Sequence, residues 1–287
     1  MLERTRLLAA TLAFMGLTAT AHAVPAIGLT GSNFLFDFDT AAPTAANQRA
    51  ITGLQAGETV FGLDFRPSNA ALYGLGSTGR LYTINAATGA ATVASTLSMA
   101  LSGASFDIAF NPTVDRLRVV SNTGQNLRIN VDTGAVTTDT PLAYAAGDAN
   151  AGATPNVQAA AYTNQVSGTV AATVLYDIDI TGTGASRLVT QNPPNGGALN
   201  TVAALGVAGL TSFDIDGNGN AAYAATGTSL YTINLTTGAT TLAGNFGLSS
   251  VSDFAVVSTV PEPMSLALLG MGLAGMATLR RRGGAAA

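Results

Sequence analysis

Three observations predict an all-β chain whose repeated hairpins close into a five-bladed β-propeller. Residues 72–94, 117–138 and 222–243 share one pattern: strand, Gly-containing turn, strand ending in Asn, short turn ending in Thr-Gly, strand. A further strand-like run precedes most of these units. An orphan run of that kind at the C-terminal end matches a vacancy at the N-terminal end. A period of ~40–50 residues with four strands per unit suits a propeller. A β-sandwich or β-solenoid built from the same hairpins is the competing architecture, and the WD dipeptide of the commonest propellers is absent.

The elements follow in chain order. Residues 1–23 read as a secretory signal: Arg4 and Arg6 supply the positive start, residues 7–18 an apolar stretch, and Ala21 and Ala23 flank His22 as a small-x-small cleavage site. The competing reading, an N-terminal membrane anchor, needs a longer apolar run to cross ~30 Å of hydrocarbon. Residues 24–258 hold the repeats. The stretch 26–39 aligns without gaps on 72–85, and 175–179 followed by Thr183-Gly184 fills the interval between the second and last clear copies. The five units place Asp39, Asn85, Asn130, Asp179 and Asn234 at equivalent corners. Gly89, Gly134 and Gly238 close the turns, where a short hairpin loop needs one residue at positive φ. The preceding runs at 61–65, 106–110, 157–162 and 213–216 are extra strands, and 252–257 is the orphan that would join the first unit. Ring closure of this kind limits free sheet edges.

Composition excludes several functions. The 287 residues contain no Lys, no Cys and no Trp, and the single His lies at position 22. Residues 24–258 carry seven Arg against fourteen Asp and Glu, a net charge of −7. So few cations argue against nucleic acid as a partner. Without His, Cys or Lys the domain cannot build a Ser–His, Cys–His or Ser–Lys nucleophile, nor the usual zinc, copper or haem sites. What remains is oxygen chemistry.

Two carboxylate sets qualify. Asp214, Asp216, Asn218 and Asn220 offer oxygens at alternate positions with Gly219 sixth, the opening of an EF-hand-type calcium loop. Ala225 stands where the bidentate Glu belongs, and an Asn-Gly turn needs no metal. Asp64, Asp107, Asp214 and Asp253 recur on the strands expected nearest the axis. They form either a ring of carboxylates around a channel or a set of acceptors for N–H groups of adjacent strands. The segment 181–207, with its Asn192-Pro-Pro-Asn-Gly-Gly197, is the expected binding loop.

The C-terminal region 259–287 has three parts in order: Pro261-Glu262-Pro263, an apolar run 264–279 of helix-spanning character, and Arg280-Arg281-Arg282. The arginines hold their end in the cytoplasm by the positive-inside rule. A plain tail anchor is the simpler reading. The order of motif, helix and basic cluster resembles the PEP-CTERM sorting signal of Gram-negative bacteria. That resemblance implies recognition by an exosortase, cutting near Pro-Glu-Pro, and delivery to the cell surface or extracellular matrix of biofilm-forming bacteria after transient anchoring by the helix. The repeats also resemble an uncharacterised domain family of secreted bacterial proteins, which implies no activity. Several five-bladed propellers are glycoside hydrolases, so the expected non-catalytic protein, binding exopolysaccharide or surface partners, has a carboxylate-dependent glycan hydrolase or lyase as its alternative. Replacing Pro261, Glu262 and Pro263 by alanine should leave an unprocessed, membrane-held form, read by fractionation and immunoblotting; normal release of that variant would count against the sorting assignment.

Overall fold

The computed structural model describes residues 23–257. Residues 1–22 of the signal sequence, with Ala21, and the whole of the tail, including Pro261–Pro263 and Arg280–Arg282, lie outside the described residues. Among the described residues twenty-one strands form five sheets, antiparallel but for one added edge strand, arranged as a five-bladed propeller.

The first blade contains β1 (Pro25–Leu29), β2 (Phe34–Asp39) and β3 (Ala42–Ala50). The second is β4 (Val60–Arg66), β5 (Ala71–Gly76), β6 (Arg80–Ile84) and β7 (Ala91–Thr96). The third is β8 (Phe106–Asn111), β9 (Arg116–Ser121), β10 (Asn126–Asn130) and β11 (Ala135–Thr138). The fourth takes β12 (Ala143–Tyr144), β13 (Val157–Tyr162), β14 (Leu175–Ile180), β15 (Ala185–Gln191) and β16 (Ala198–Ala208), with β12 added in parallel on the outer edge of β16. The fifth is β17 (Ser212–Ile215), β18 (Ala222–Ala225), β19 (Ser229–Ile233) and β20 (Thr240–Asn245). Finally β21 (Asp253–Val256) pairs antiparallel with β1, Ala26 opposite Val256 and Leu29 opposite Asp253. The chain's last described strand thus supplies the innermost strand of its first blade, and the ring closes by hydrogen bonds.

The innermost strands β21, β4, β8, β13 and β17 contact one another in sequence around the axis. One hydrophobic cluster fills each seam between neighbouring blades. In the Leu-Tyr-Thr-Ile run Leu81 faces the seam with the third blade while Tyr82 and Ile84 face the seam with the first, so both faces of the strand are covered. Aromatic and β-branched residues suit such pleated surfaces.

The corners serve two purposes. Asn85 Oδ1 accepts from the N–H groups of Ala87 and Thr88, and Asn234 Oδ1 from those of Thr236 and Thr237. The glycines that follow lie at φ 76° for Gly89, 72° for Gly134 and 70° for Gly238. Each also abuts the outer strand of the preceding blade. A Cβ on Gly89 would run into the carbonyl of Ala50, and one on Gly134 into that of Thr96. Positive φ and interblade contact therefore demand glycine together.

The fourth blade corrects the sequence reading. Leu175–Ile180 is a second strand rather than a third, so Asp179 does not occupy a corner. The corner residue is Asn192, whose N–H donates to Ala198 O at 2.8 Å as that of Asn85 does to Ala90 O and that of Asn234 to Ala239 O. The segment 181–207 is likewise mostly strand: β15 and β16 are joined by a tight turn with a cis Asn192–Pro193 bond and a short 3-10 helix, Pro194–Gly196. An insertion at the corner hid the period, because the Thr-Gly at 183–184 belongs to a different turn.

Gly134→Ala should destabilise the domain by more than about 1 kcal/mol, since alanine is strained at positive φ and nothing offsets the carbonyl clash. Urea denaturation with an unchanged m-value checks this; a loss of under half that figure would mean that the seam can part without cost.

Candidate functional site

The axial carboxylates are joined to the ring itself. Asp253 Oδ2 accepts from Leu63 N at 2.6 Å, Asp64 Oδ2 from Phe110 N at 2.6 Å, Asp107 Oδ2 from Ala160 N at 2.7 Å, and Asp214 Oδ2 from Val256 N at 2.7 Å. Each bond runs from the innermost strand of one blade to that of the next. Three of the remaining oxygens are also engaged: Asp107 Oδ1 accepts from Ile108 N, Asp214 Oδ1 from Ile215 N, and Asp253 Oδ1 from the Ser212 hydroxyl. All four side chains are buried.

They stand at two heights. Asp64 is opposite Tyr73 and Asp214 opposite Tyr223, equivalent positions; Asp107 is opposite Val120 and Asp253 opposite Leu29, two residues away along the strand. The fourth blade has Ala161 and Ala159 at these two levels. On the far side of the ring the side chain of Gln165 enters the axis and donates to Asp64 Oδ2 at 3.3 Å.

Burial drives the carboxyls upward. Desolvation raises Asp64 and Asp253 to about 7, with the backbone donors opposing it. Asp107 and Asp214 are also raised well above the carboxylate range, first by burial and then by neighbouring axial charge. Asp177, which the sequence did not single out, rises to about 8 for the same reason, although the Arg118 charge opposes the shift. Both Asp177 oxygens lack a hydrogen-bond partner.

Three of the four residues of the expected calcium loop have side-chain tasks of their own. Asp214 joins blades at the axis. Asp216 Oδ1 accepts from Asn218 N at 3.1 Å, and Asn220 pairs reciprocally with Asn164, accepting from its N–H and donating to its Oδ1. That division of roles does not supply the roughly six to eight converging oxygens that calcium takes. Among the described residues no three His, Cys, Asp or Glu side chains form a group able to hold a metal ion. Glu58 is internal too: its carboxylate accepts from Thr78 N, Thr78 Oγ1 and the Tyr82 hydroxyl, each at 2.8 Å.

Two surface cavities, on opposite faces, bear on function. The first, of about 310 Å³, lies at the axial mouth where the innermost strands begin. Every blade supplies one neutral polar residue to it: Ser252, Thr59, Ser105, Gln158 and Thr211 in ring order. Phe61 and Phe106 stack beside them, ring centroids 5.0 Å apart. Ser105 Oγ donates to Gln158 Oε1 at 2.6 Å, and Gln158 Nε2 donates to Asn156 Oδ1 at 2.7 Å. These residues carry no motif in the sequence; their common signal is position, each at or just before the start of an innermost strand.

The second cavity, of about 400 Å³, lies where the third and fourth blades meet at the other face. Pro193, Pro194 and Asn195 of the β15–β16 turn form one wall, so part of the expected binding segment does line a cavity. The turn is fixed by its neighbour: Asn195 Oδ1 accepts from Arg118 Nη2 at 2.8 Å, and Pro194 O from Asn126 Nδ2 at 3.0 Å.

A closed all-β ring without an open axial carboxylate, followed by a surface-sorting tail, defines a class of exported propeller. The chain belongs to the family of the domain of unknown function DUF4394, whose model matches residues 34–255. The PEP-CTERM protein-sorting motif matches residues 259–282, which implies export, sorting to the cell surface and processing by an exosortase. Among curated proteins no sequence matches this chain. A chain in the crystal structure of the nidogen/laminin complex is similar in fold, with 11% identity over 83% of this chain and 99% of that one and a TM-score of 0.52. A structural-genomics protein of unknown function from Bacteroides thetaiotaomicron matches at 15% identity over 71% of this chain and 54% of its own, with a TM-score of 0.48. The Dos1 propeller matches at 15% identity over 72% of this chain and 53% of its own, with a TM-score of 0.40.

The raised axial carboxyls set a pH dependence. A carboxyl whose pKa rises on folding holds its proton more tightly in the folded chain. Between about pH 4, where carboxyls of the unfolded chain ionise, and the folded values of about 7 to 8, the native state binds more protons, so stability falls as pH rises. Asp115, Asp132 and Asp139 are held below the ordinary range, and their stabilisation is already complete above about pH 4, so it stays constant across that window. Melting temperature should therefore be higher at pH 5 than at pH 8, with Asp177→Asn flattening the slope. Calorimetry across that range checks it; a melting temperature rising towards pH 8 would refute it.

Proposed function

We propose that the domain is a non-catalytic glycan-binding module of the cell surface or extracellular matrix, holding exopolysaccharide at its axial mouth. The observation that carries this reading is the neutral ring of Ser252, Thr59, Ser105, Gln158 and Thr211 beside a stacked pair of phenylalanines. Hydroxyl and amide groups match the donors and acceptors of a sugar, and aromatic carbon suits its C–H face. The mouth needs no conserved loop, since the ring brings five short side chains together.

The alternative of a carboxylate-dependent hydrolase or lyase needs an acid and a base or nucleophile facing one substrate at a set separation. The four axial carboxyls are buried and occupied by backbone donors, and Glu58 by Thr78 and Tyr82, which favours binding over turnover. Surface protein partners are a second ligand class for the same exported address; the nidogen/laminin chain shares this fold within a protein complex, but at its low identity the likeness extends to fold alone.

The test is co-sedimentation of the purified protein with polysaccharide from the producing organism, in calcium and in EDTA, with reducing ends assayed in the supernatant. The expected result is binding in both buffers without release of reducing ends. Gln158→Ala should weaken it roughly fivefold, as about 1 kcal/mol of neutral hydrogen bonding would. Released reducing ends would replace this reading with the hydrolase, and absence of binding would remove it.

A further inference from the structure

The cavity between the third and fourth blades differs in chemistry from the axial mouth. Asn111 Oδ1 already accepts from Thr113 N at 2.9 Å and from Thr113 Oγ1 at 2.6 Å. Asn195 Oδ1 accepts from Arg118. These donors fix both amides, because only an oxygen can accept from an N–H, and leave each Nδ2 without a partner in the fold.

The two guanidinium groups of the cavity point the same way. Arg128 donates from Nε and Nη2 to Asp139, at 2.8 and 3.0 Å, which leaves Nη1 unengaged. Arg116 is exposed and donates only from Nη1, to the carbonyls of Asp115 and Val114. Among the described residues it is the one arginine without a carboxylate at ion-pair distance. It does lie within the field of Asp115 and Asp132, but both of those carboxylates are engaged by Arg66. Asp139 is shared between Arg118 and Arg128, so one carboxylate serves two guanidiniums.

Every uncommitted polar function in the cavity is thus a donor, and two of the four carry positive charge. The rest of the lining is apolar: Val114, Pro193 and Pro194. A donor-only set selects a ligand rich in acceptors, and charged donors favour an anionic one. Apolar walls add room for carbon. A cavity of about 400 Å³ falls within the ~300–1,000 Å³ usual for small-ligand sites.

We propose that this cavity is a second glycan subsite, separate from the axial mouth, that binds the carboxylate of a uronic acid residue through Arg116 and Arg128, with Asn111 and Asn195 donating to its oxygens and Pro193 and Pro194 against its ring. It rests on the glycan reading only for the class of polymer met at the surface; its residues lie on the opposite face and are argued from their own bonds.

The test compares tetra-galacturonate with its methyl ester, which keeps the sugar rings and masks the charge. Titration calorimetry on the full chain in detergent should give binding of the acid on the order of tenfold tighter than the ester, as a charge-assisted pair would. Arg116→Gln should bring the acid to the level of the ester, and Arg116→Lys should restore part of the difference. Because Arg116 is exposed and bridges no blades, its variants should melt like the parent. Gln158→Ala should leave the difference between acid and ester unchanged. Equal binding of acid and ester, or loss of acid binding with Gln158→Ala but not with Arg116→Gln, would overturn the subsite while leaving the axial reading intact. Tighter binding of tetra-glutamate than of tetra-galacturonate would overturn it in favour of an acidic peptide. Polysaccharide co-sedimentation, run in parallel, separates failure of this subsite from failure of glycan binding as a whole.

Discussion

A carboxylate that accepts an N–H from the next blade is the contact on which the ring depends. Four of the five seams at the axis are candidates for it, and Asp253, Asp64, Asp107 and Asp214 each make one such bond. The innermost strands converge there, so their inward N–H groups have no further strand to pair with, and Leu63, Phe110, Ala160 and Val256 are buried. A buried donor left unpaired costs about 1–3 kcal/mol, and a side-chain acceptor reaching across the seam removes that cost. The same bond fixes how far one blade is rotated against the next. Four carboxyls near one axis would repel if ionised, and alternation of height between neighbouring blades separates them. Five is odd, so strict alternation cannot close. The fourth blade, with alanine at both levels, is where the pattern is interrupted.

That interruption explains what the sequence showed and what it hid. Blades two, three and five kept the Asn and Thr-Gly corner, and their period could be read directly because turn chemistry is local. The vacancy at the front and the orphan 252–257 gave ring closure, since an unmatched strand at each end has few other uses. The corner of the fourth blade was misread because Asn192 is followed by an insertion rather than by Thr-Gly, while Asp179 happens to precede one. The recurrent Asp residues were visible, but their role was not: whether a carboxylate faces a channel or a neighbouring N–H depends on seam geometry, which has no local signature. The axial mouth was invisible for the same reason. Thr59, Ser105, Gln158, Thr211 and Ser252 are unrelated in type and become a set only when the blades are in place.

The departures from the repeat gather in one seam. Arg118 takes the place that Tyr73 and Tyr223 hold in other blades, and faces the fourth blade. Asp177 takes the place of Gly74 and faces back towards it. Asp139, Asn126 and Asn195 complete the bonds of Arg118, and the inserted turn rests on them. In the other seams apolar side chains fill the interior and tolerate small shifts, with Arg66 bridging the second blade to Asp115 and Asp132 of the third. A polar seam is less forgiving, since an unmatched charge in low dielectric is costly. It therefore holds the β15–β16 turn in one position, and that turn forms a wall of the anion cavity. The extra β12 strand adds a second restraint on the outer edge of the same blade.

The charge of the whole domain then bears on which polymer could use that cavity. With a net charge of −7 between residues 24 and 258, the field at a distance repels polyanions. At physiological salt that field decays over about 8 Å, whereas a carboxylate in contact with Arg116 and Arg128 feels them almost unscreened. The balance favours chains in which acidic residues are sparse among neutral ones, because each further carboxylate adds repulsion without a second arginine to meet it. A neutral mouth on one face and a cationic pocket on the other fit the two residue types of such a polymer. On the proposed reading the two sites, on opposite faces, would hold different stretches of polymer. That task is mechanical, and a closed ring whose axial carboxyls are buried and bonded from blade to blade suits it.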